Sequence, residues 1–158
     1  MNNVEKKIYK LKPGYLAGFE DLLKRYAQFG GGSDDAKYIQ GRSFSNVYEF
    51  YMFAFFIGLH RNIPMDLSDD DSLKGFWEME NWKPKEMVDH LLACAIARSE
   101  FNMLFVQEAD ESGVGKEVSK LKRTIESYAN GGLQYVSAQV ERQPTEAEQD
   151  DFFIKMLV

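Results

Sequence analysis

The stretch FYMFAFFIGL, residues 50–59, is ten consecutive uncharged residues, nearly all apolar. A bilayer-spanning helix needs about 20 such residues, so this run is too short to cross a membrane. Glu49 closes it on one side; His60, Arg61, Asn62, Ile63 and Pro64 close it on the other. A helix apolar on nearly every face belongs inside a protein. The run therefore predicts a central helix wrapped by other elements. The expected fold is all-α: one domain over residues 1–158, a bundle of about five helices, with residues 1–12 as a charged arm or short strand.

The chain has 158 residues, suited to a single core. Its 12 Phe, 8 Tyr and 2 Trp supply large burial area, so many rings must be inside. The formal net charge of −6 aids solubility and disfavours unaided binding to a phosphate backbone. Cys94 is the sole cysteine, which excludes an intramolecular disulfide and a zinc site built on paired cysteines. The first residues, MNNVEKKIYKLKPGY, contain no apolar signal-peptide core, so a cytoplasmic location without membrane attachment is expected.

Working outward, Leu16, Phe19, Leu22, Leu23 and Tyr26 recur at helical spacing and predict a helix ending near Phe29, stopped by Gly30, Gly31 and Gly32. Ser43 or Ser45 is a suitable cap for the central helix. Residues 65–73 read as an acidic surface loop, and residues 76–82 as a ring-bearing cover for a core edge. Pro84 suits the first turn of a helix marked by Met87, Val88, Leu91, Leu92, Ala95 and Ile96, continuing to about Val106 with a break near Ser99. Residues 110–113 read as a loop. Val118, Leu121, Ile125 and Tyr128 predict a helix over 114–129, with Asn130, Gly131 and Gly132 as its terminator. Residues 133–139 suit a short helix or strand, and Pro144 to Glu148 a new helix start followed by an apolar tail.

Candidate chemistry is sparse. His60 falls at a helix end, where positive charge is favourable. His90 precedes Cys94 by one helical turn, which permits a Cys–His pair, but the LLACAIA setting predicts an inert structural thiol. Taking Asp66 as the first ligand of a calcium loop puts Asp71 where glycine is required and Trp77 where glutamate is required. The residues 30–33, GGGS, lack the following Lys of a phosphate loop. Lys116, Lys120 and Arg123 share one helical face and, with Lys122, are candidate contacts for DNA or an acidic partner; solvation is the plainer role. Phe152, Phe153, Met156 and Leu157 are a candidate protein interface, or dock on the chain's own core or a second copy.

Three segments together carry a family resemblance. They are YEFYMFAFFIGL at 48–59 with Arg61, Asn62, Ile63 and Pro64 after it; MVDHLLACAIA at 87–97; and IESYANGGL at 125–133. In this order they resemble the small accessory proteins associated with bacterial DNA phosphorothioation (Dnd) systems, over about residues 40–140. The phrase YANGGL is the distinctive part. The first forty residues and the tail after Gln143 have no counterpart, and no catalytic motif carries over. The resemblance implies a setting of defence against foreign DNA. The expected role is thus a non-enzymatic accessory or regulatory protein, without cofactor or metal, binding protein partners of a modification or restriction system. A homo-oligomer is compatible with this. Direct DNA binding by the Lys116, Lys120 and Arg123 face is the alternative, and an enzyme centred on His90 is a third.

Overall fold

The computed structural model describes residues 3–27, 43–68, 70–149 and 151–157. Along the chain run α1 (Asn3–Tyr9), β1 (Gly14–Leu16), α2 (Glu20–Tyr26), α3 (Val47–His60), β2 (Leu73–Gly75), α4 (Lys85–Arg98), α5 (Met103–Glu108), α6 (Glu111–Arg142) and α7 (Phe152–Lys155). Single 3-10 turns occupy Ala17–Phe19, Met79–Asn81 and Glu146–Glu148. The strands pair antiparallel, with Gly14 opposite Gly75 and Leu16 opposite Leu73. The fold is mostly α, with this small sheet at its side.

The apolar run lies in α3, the central helix. Phe50, Tyr51, Ala54, Phe55 and Ile57 are fully buried. Its start is Val47 rather than Ser43 or Ser45, with Asn46 at the cap position; no side chain caps it. Instead the Glu49 carboxylate reaches back and accepts from the Ser45 N–H at 2.8 Å. Its principal neighbour is α6, and α4 packs beside both.

The main correction concerns α6. Asn130, Gly131 and Gly132 do not end a helix; they lie inside one of 32 residues, about 48 Å long. Each interior glycine costs about 1 kcal/mol in helix propensity, so tertiary contact must outweigh it. A Cβ on Gly131 would stand 1.9 Å from the Ile63 carbonyl oxygen. On α3, a Cβ on Gly58 would stand 2.0 Å from the Tyr128 carbonyl oxygen. The missing side chains let the two backbones touch, and the buried contact keeps the helix whole through a sequence that would otherwise close it. Residues 133–139 are accordingly helix.

Other elements also depart from the pattern. Residues 3–9 form α1, with Ile8 buried, rather than an arm or strand. The helix predicted from Leu16 splits into β1, a 3-10 turn and α2; its predicted end at Phe29 and the glycines 30–32 lie outside the described residues. Leu73 leaves the acidic loop to enter β2. Pro84 sits at the cap position of α4, after a cis bond from Lys83. The break predicted near Ser99 is complete, and α5 is a separate helix whose Asn102 cap accepts from the Phe105 N–H at 3.0 Å. Asp110 likewise caps α6 by accepting from the Gly113 N–H at 2.8 Å, so residues 111–113 are helical rather than loop. Directly after Pro144 a 3-10 turn forms in place of the predicted helix start, and α7 follows at Phe152.

The rings of residues 76–82 do cover a core edge. Phe76 stacks on Trp82 with centroids 5.3 Å apart, and Tyr51 meets both. No helix among the described residues is long and apolar enough to cross a membrane.

Candidate functional site

Two arrangements of side chains merit attention, one internal and one at the surface. The internal one surrounds the backbone of β1. Glu126 accepts from the Gly14 N–H at 2.9 Å, and the Tyr51 hydroxyl donates to the Gly14 carbonyl at 2.8 Å. The buried Asn130 amide accepts from the Leu16 N–H at 2.9 Å and donates to the carbonyls of Gly14 (3.1 Å) and Glu126 (2.8 Å). Every one of these bonds serves backbone, so the constellation is a clamp for a three-residue strand. Burial pushes the Glu126 carboxyl up from its ordinary range, while the Gly14 N–H, Lys122 and Arg123 pull it down. Burial also drives the Tyr51 hydroxyl far upward, so it remains a donor. The distinctive residues of the YANGGL phrase thus do structural work: Asn130 holds β1, and the glycines admit α3 and Ile63.

The surface arrangement is a groove between α3 and α4, with a volume of about 500 Å³. Met52, Phe53 and Phe56 of α3 line it opposite Pro84 and Met87, together with Phe44 and Leu157. Met87 and Leu157 are exposed, at 42% and 50%. Glu49, Lys83 and His90 are its polar members. The groove exists because α3 carries rings on all sides, so the face that α6 does not cover still presents Phe53 and Phe56.

His90 lies on this surface. Its ring stacks on Phe56, with centroids 5.4 Å apart and planes at 18°. Cys94 is half-buried, its Sγ 3.9 Å from His90 Nε2. The adjacent Asp89 faces elsewhere: it accepts from the Tyr9 hydroxyl and pairs with Lys85 at 3.0 Å. The Tyr9 bond, then Lys85, hold the Asp89 carboxyl below its ordinary range. Asp89 is thus engaged away from His90, and Glu49 is the carboxylate that lines the groove with it. Among the described residues no group of three or more His, Cys, Asp or Glu is gathered for a metal. His60 is the exposed last residue of α3.

The basic face of α6 is largely spoken for. Lys120 pairs with the buried Glu117 at 3.0 Å, and Arg123 lies 4.0 Å from the buried Glu126. Lys116 is exposed. At the N-terminus, Lys10 pairs with Glu78 and Glu80. In the acidic segment, Asp71 accepts from the Ser68 N–H at 2.7 Å in a local turn.

Of the tail residues considered as an interface, Phe152, Phe153 and Met156 are buried in the chain's own core. Phe153 meets Tyr26, Phe44, Phe50 and Phe53 with centroids 5.0 to 5.8 Å apart. Leu157 alone of the four remains outward. Sequence spacing did not reveal the α3–α4 groove, because its walls are about 30 residues apart and are brought together only by tertiary packing. The signal available in retrospect is the excess of rings on α3 over what two helical neighbours can cover. Compared with protein-family models, curated proteins and solved structures, the chain has no match.

Proposed function

We propose that this chain is a non-enzymatic accessory protein of a bacterial DNA phosphorothioation or restriction defence system, and that it binds a protein partner in the cytoplasm. The observation that carries the binding role is the α3–α4 groove. It is apolar along its length, with one carboxylate and one ammonium, Glu49 and Lys83, among its lining groups. Such a trough suits the apolar face of a partner helix, with bulky side chains spaced three and four residues apart. Met87 and Leu157, both exposed, are the natural anchors. The defence setting comes from the resemblance of residues 48–64, 87–97 and 125–133.

Direct DNA binding by Lys116, Lys120 and Arg123 is the weaker reading, since Glu117 and Glu126 lie against two of the three cations. The test is pairwise capture between the purified chain and each purified protein of such a system. Binding that is lost in Met87→Asp and Leu157→Asp, yet kept in the exposed control Leu104→Asp, supports the reading. Binding to none of them, or full retention in both groove variants, overturns it. Retention of duplex DNA that weakens steeply with salt would instead favour the α6 face. A stable dimer that dissociates in Met87→Asp would assign the groove to a second copy.

A further inference from the structure

A second cavity, of about 300 Å³, opens where the end of α3, the C-terminal turns of α6, the Glu146–Glu148 turn and α7 meet. That is the lower end of the range for small-molecule sites, about 300–1,000 Å³. Its lining differs in kind from the groove. Arg61, just past α3, places its guanidinium 4.3 Å from the centroid of the Tyr135 ring. One edge, Nη2, donates to the Met156 carbonyl at 3.2 Å. Among the described residues the remaining guanidinium N–H donors of Arg61 meet no acceptor, and no carboxylate pairs with it. A guanidinium held over a ring and tied at one edge is pre-oriented, with its free edge ready for a planar oxyanion.

The neighbours narrow the ligand. Gln139 on the last turn of α6 and Gln143, the residue that ends it, line the same cavity, and their amides have no side-chain hydrogen bond among the described residues. Lys155 is paired with Asp151 at 3.2 Å, so the two charges face each other. Arg61 and Glu146 are left as the unpaired charges of the lining. A phosphate dianion would meet repulsion from Glu146 that a singly charged carboxylate meets half as strongly. Free amides beside the anion donor match a peptide unit next to that carboxylate.

We propose that this cavity binds a carboxylate flanked by an amide, with the Arg61 guanidinium as its anchor and Gln139 and Gln143 on the adjoining peptide group. A free N-acylated acid and the C-terminus of a peptide present the same chemistry. The site is independent of the α3–α4 groove.

The test is a nitrogen-15 NMR titration of the whole chain that follows the Arg61 Nε–H and the glutamine side-chain amides. The probes are N-acetylglycine, its uncharged counterpart N-acetylglycinamide, a short peptide with a free C-terminus and inorganic phosphate. Saturable shifts of Arg61, Gln139 and Gln143 with N-acetylglycine, absent with the amide, support the site. Tighter binding of the peptide than of N-acetylglycine assigns it to chain termini, and equal binding to free acids. Arg61→Lys keeps the charge but loses the fork, and weakens binding roughly tenfold. Gln143→Ala, at an exposed position that leaves the fold intact, weakens it about threefold. No saturable shift at millimolar probe, equal shifts with the amide, stronger binding of phosphate, or unchanged affinity in both variants overturns the proposal.

Discussion

Gly132 of α6 faces the carbonyl oxygen of Ala54 on α3 so closely that a Cβ on the glycine would stand 1.7 Å from it. Atoms that close cannot coexist, and the obstacle is helix backbone rather than a flexible side chain. Four residues back on α6, the Tyr128 carbonyl meets Gly58, four residues on from Ala54. The contact is therefore reciprocal, each helix presenting a glycine to a carbonyl of the other.

Gly132→Ala must push α3 and α6 apart and loosen the core on both sides. The expected loss is about 3 kcal/mol or more, at or above the upper end for overpacked cores because the obstacle is backbone. Gly115 is the internal control: it lies in the same helix, and a Cβ there meets nothing within 4 Å. Gly115→Ala is expected to stabilise by about 0.5–1 kcal/mol, because alanine is the better helix former. Urea denaturation of both variants measures the contrast. Similar behaviour of the two would refute a close helix contact.

Asn130→Ala removes an amide that serves the Leu16 N–H and the Gly14 and Glu126 carbonyls. The Leu16 donor is then left without its partner, at a cost of about 2–4 kcal/mol for the set. Hydrogen exchange localises the effect: the Leu16 amide should lose protection more than amides of α4. A uniform change across the chain would contradict the clamp.

The raised Glu126 carboxyl gives a signed pH dependence. Its folded-state affinity for a proton exceeds that of the unfolded chain, whose value is near the ordinary 4.5. Its contribution to stability is thus fully present below that value and is lost as pH rises through the higher folded one. The stability of the native chain relative to Glu126→Gln should therefore fall as pH rises from the ordinary carboxyl value of 4.5 through the higher folded one. Urea midpoints of both proteins across that window test it; a difference that stays level or grows would be incompatible with burial as the dominant cause.

Phe153→Ala empties the position where rings from α2, α3 and Phe44 converge. A loss of about 3–5 kcal/mol is expected for a buried phenylalanine. Leu157→Ala, at the neighbouring exposed edge, should stay within about 0.5 kcal/mol. Thermal unfolding of the pair separates tail residues that build the core from the one that faces the groove.

Residue pattern alone determined the fold class, the central place of residues 50–59, the break at Ser99 and the ring cover at 76–82. Each follows from local periodicity or from an apolar run that has nowhere to go but inside. Tertiary structure decided the rest. Asn130, Gly131 and Gly132 carry every local mark of a helix terminator, yet contact with Ala54, Ile63 and the β1 backbone makes them interior. The strands of three residues are too short for a periodic signal and exist because Glu126, Tyr51 and Asn130, far away in the chain, hold one of them. The groove and the Arg61 cavity are likewise made by residues distant in sequence, since a concave surface belongs to packed elements and to none of them singly.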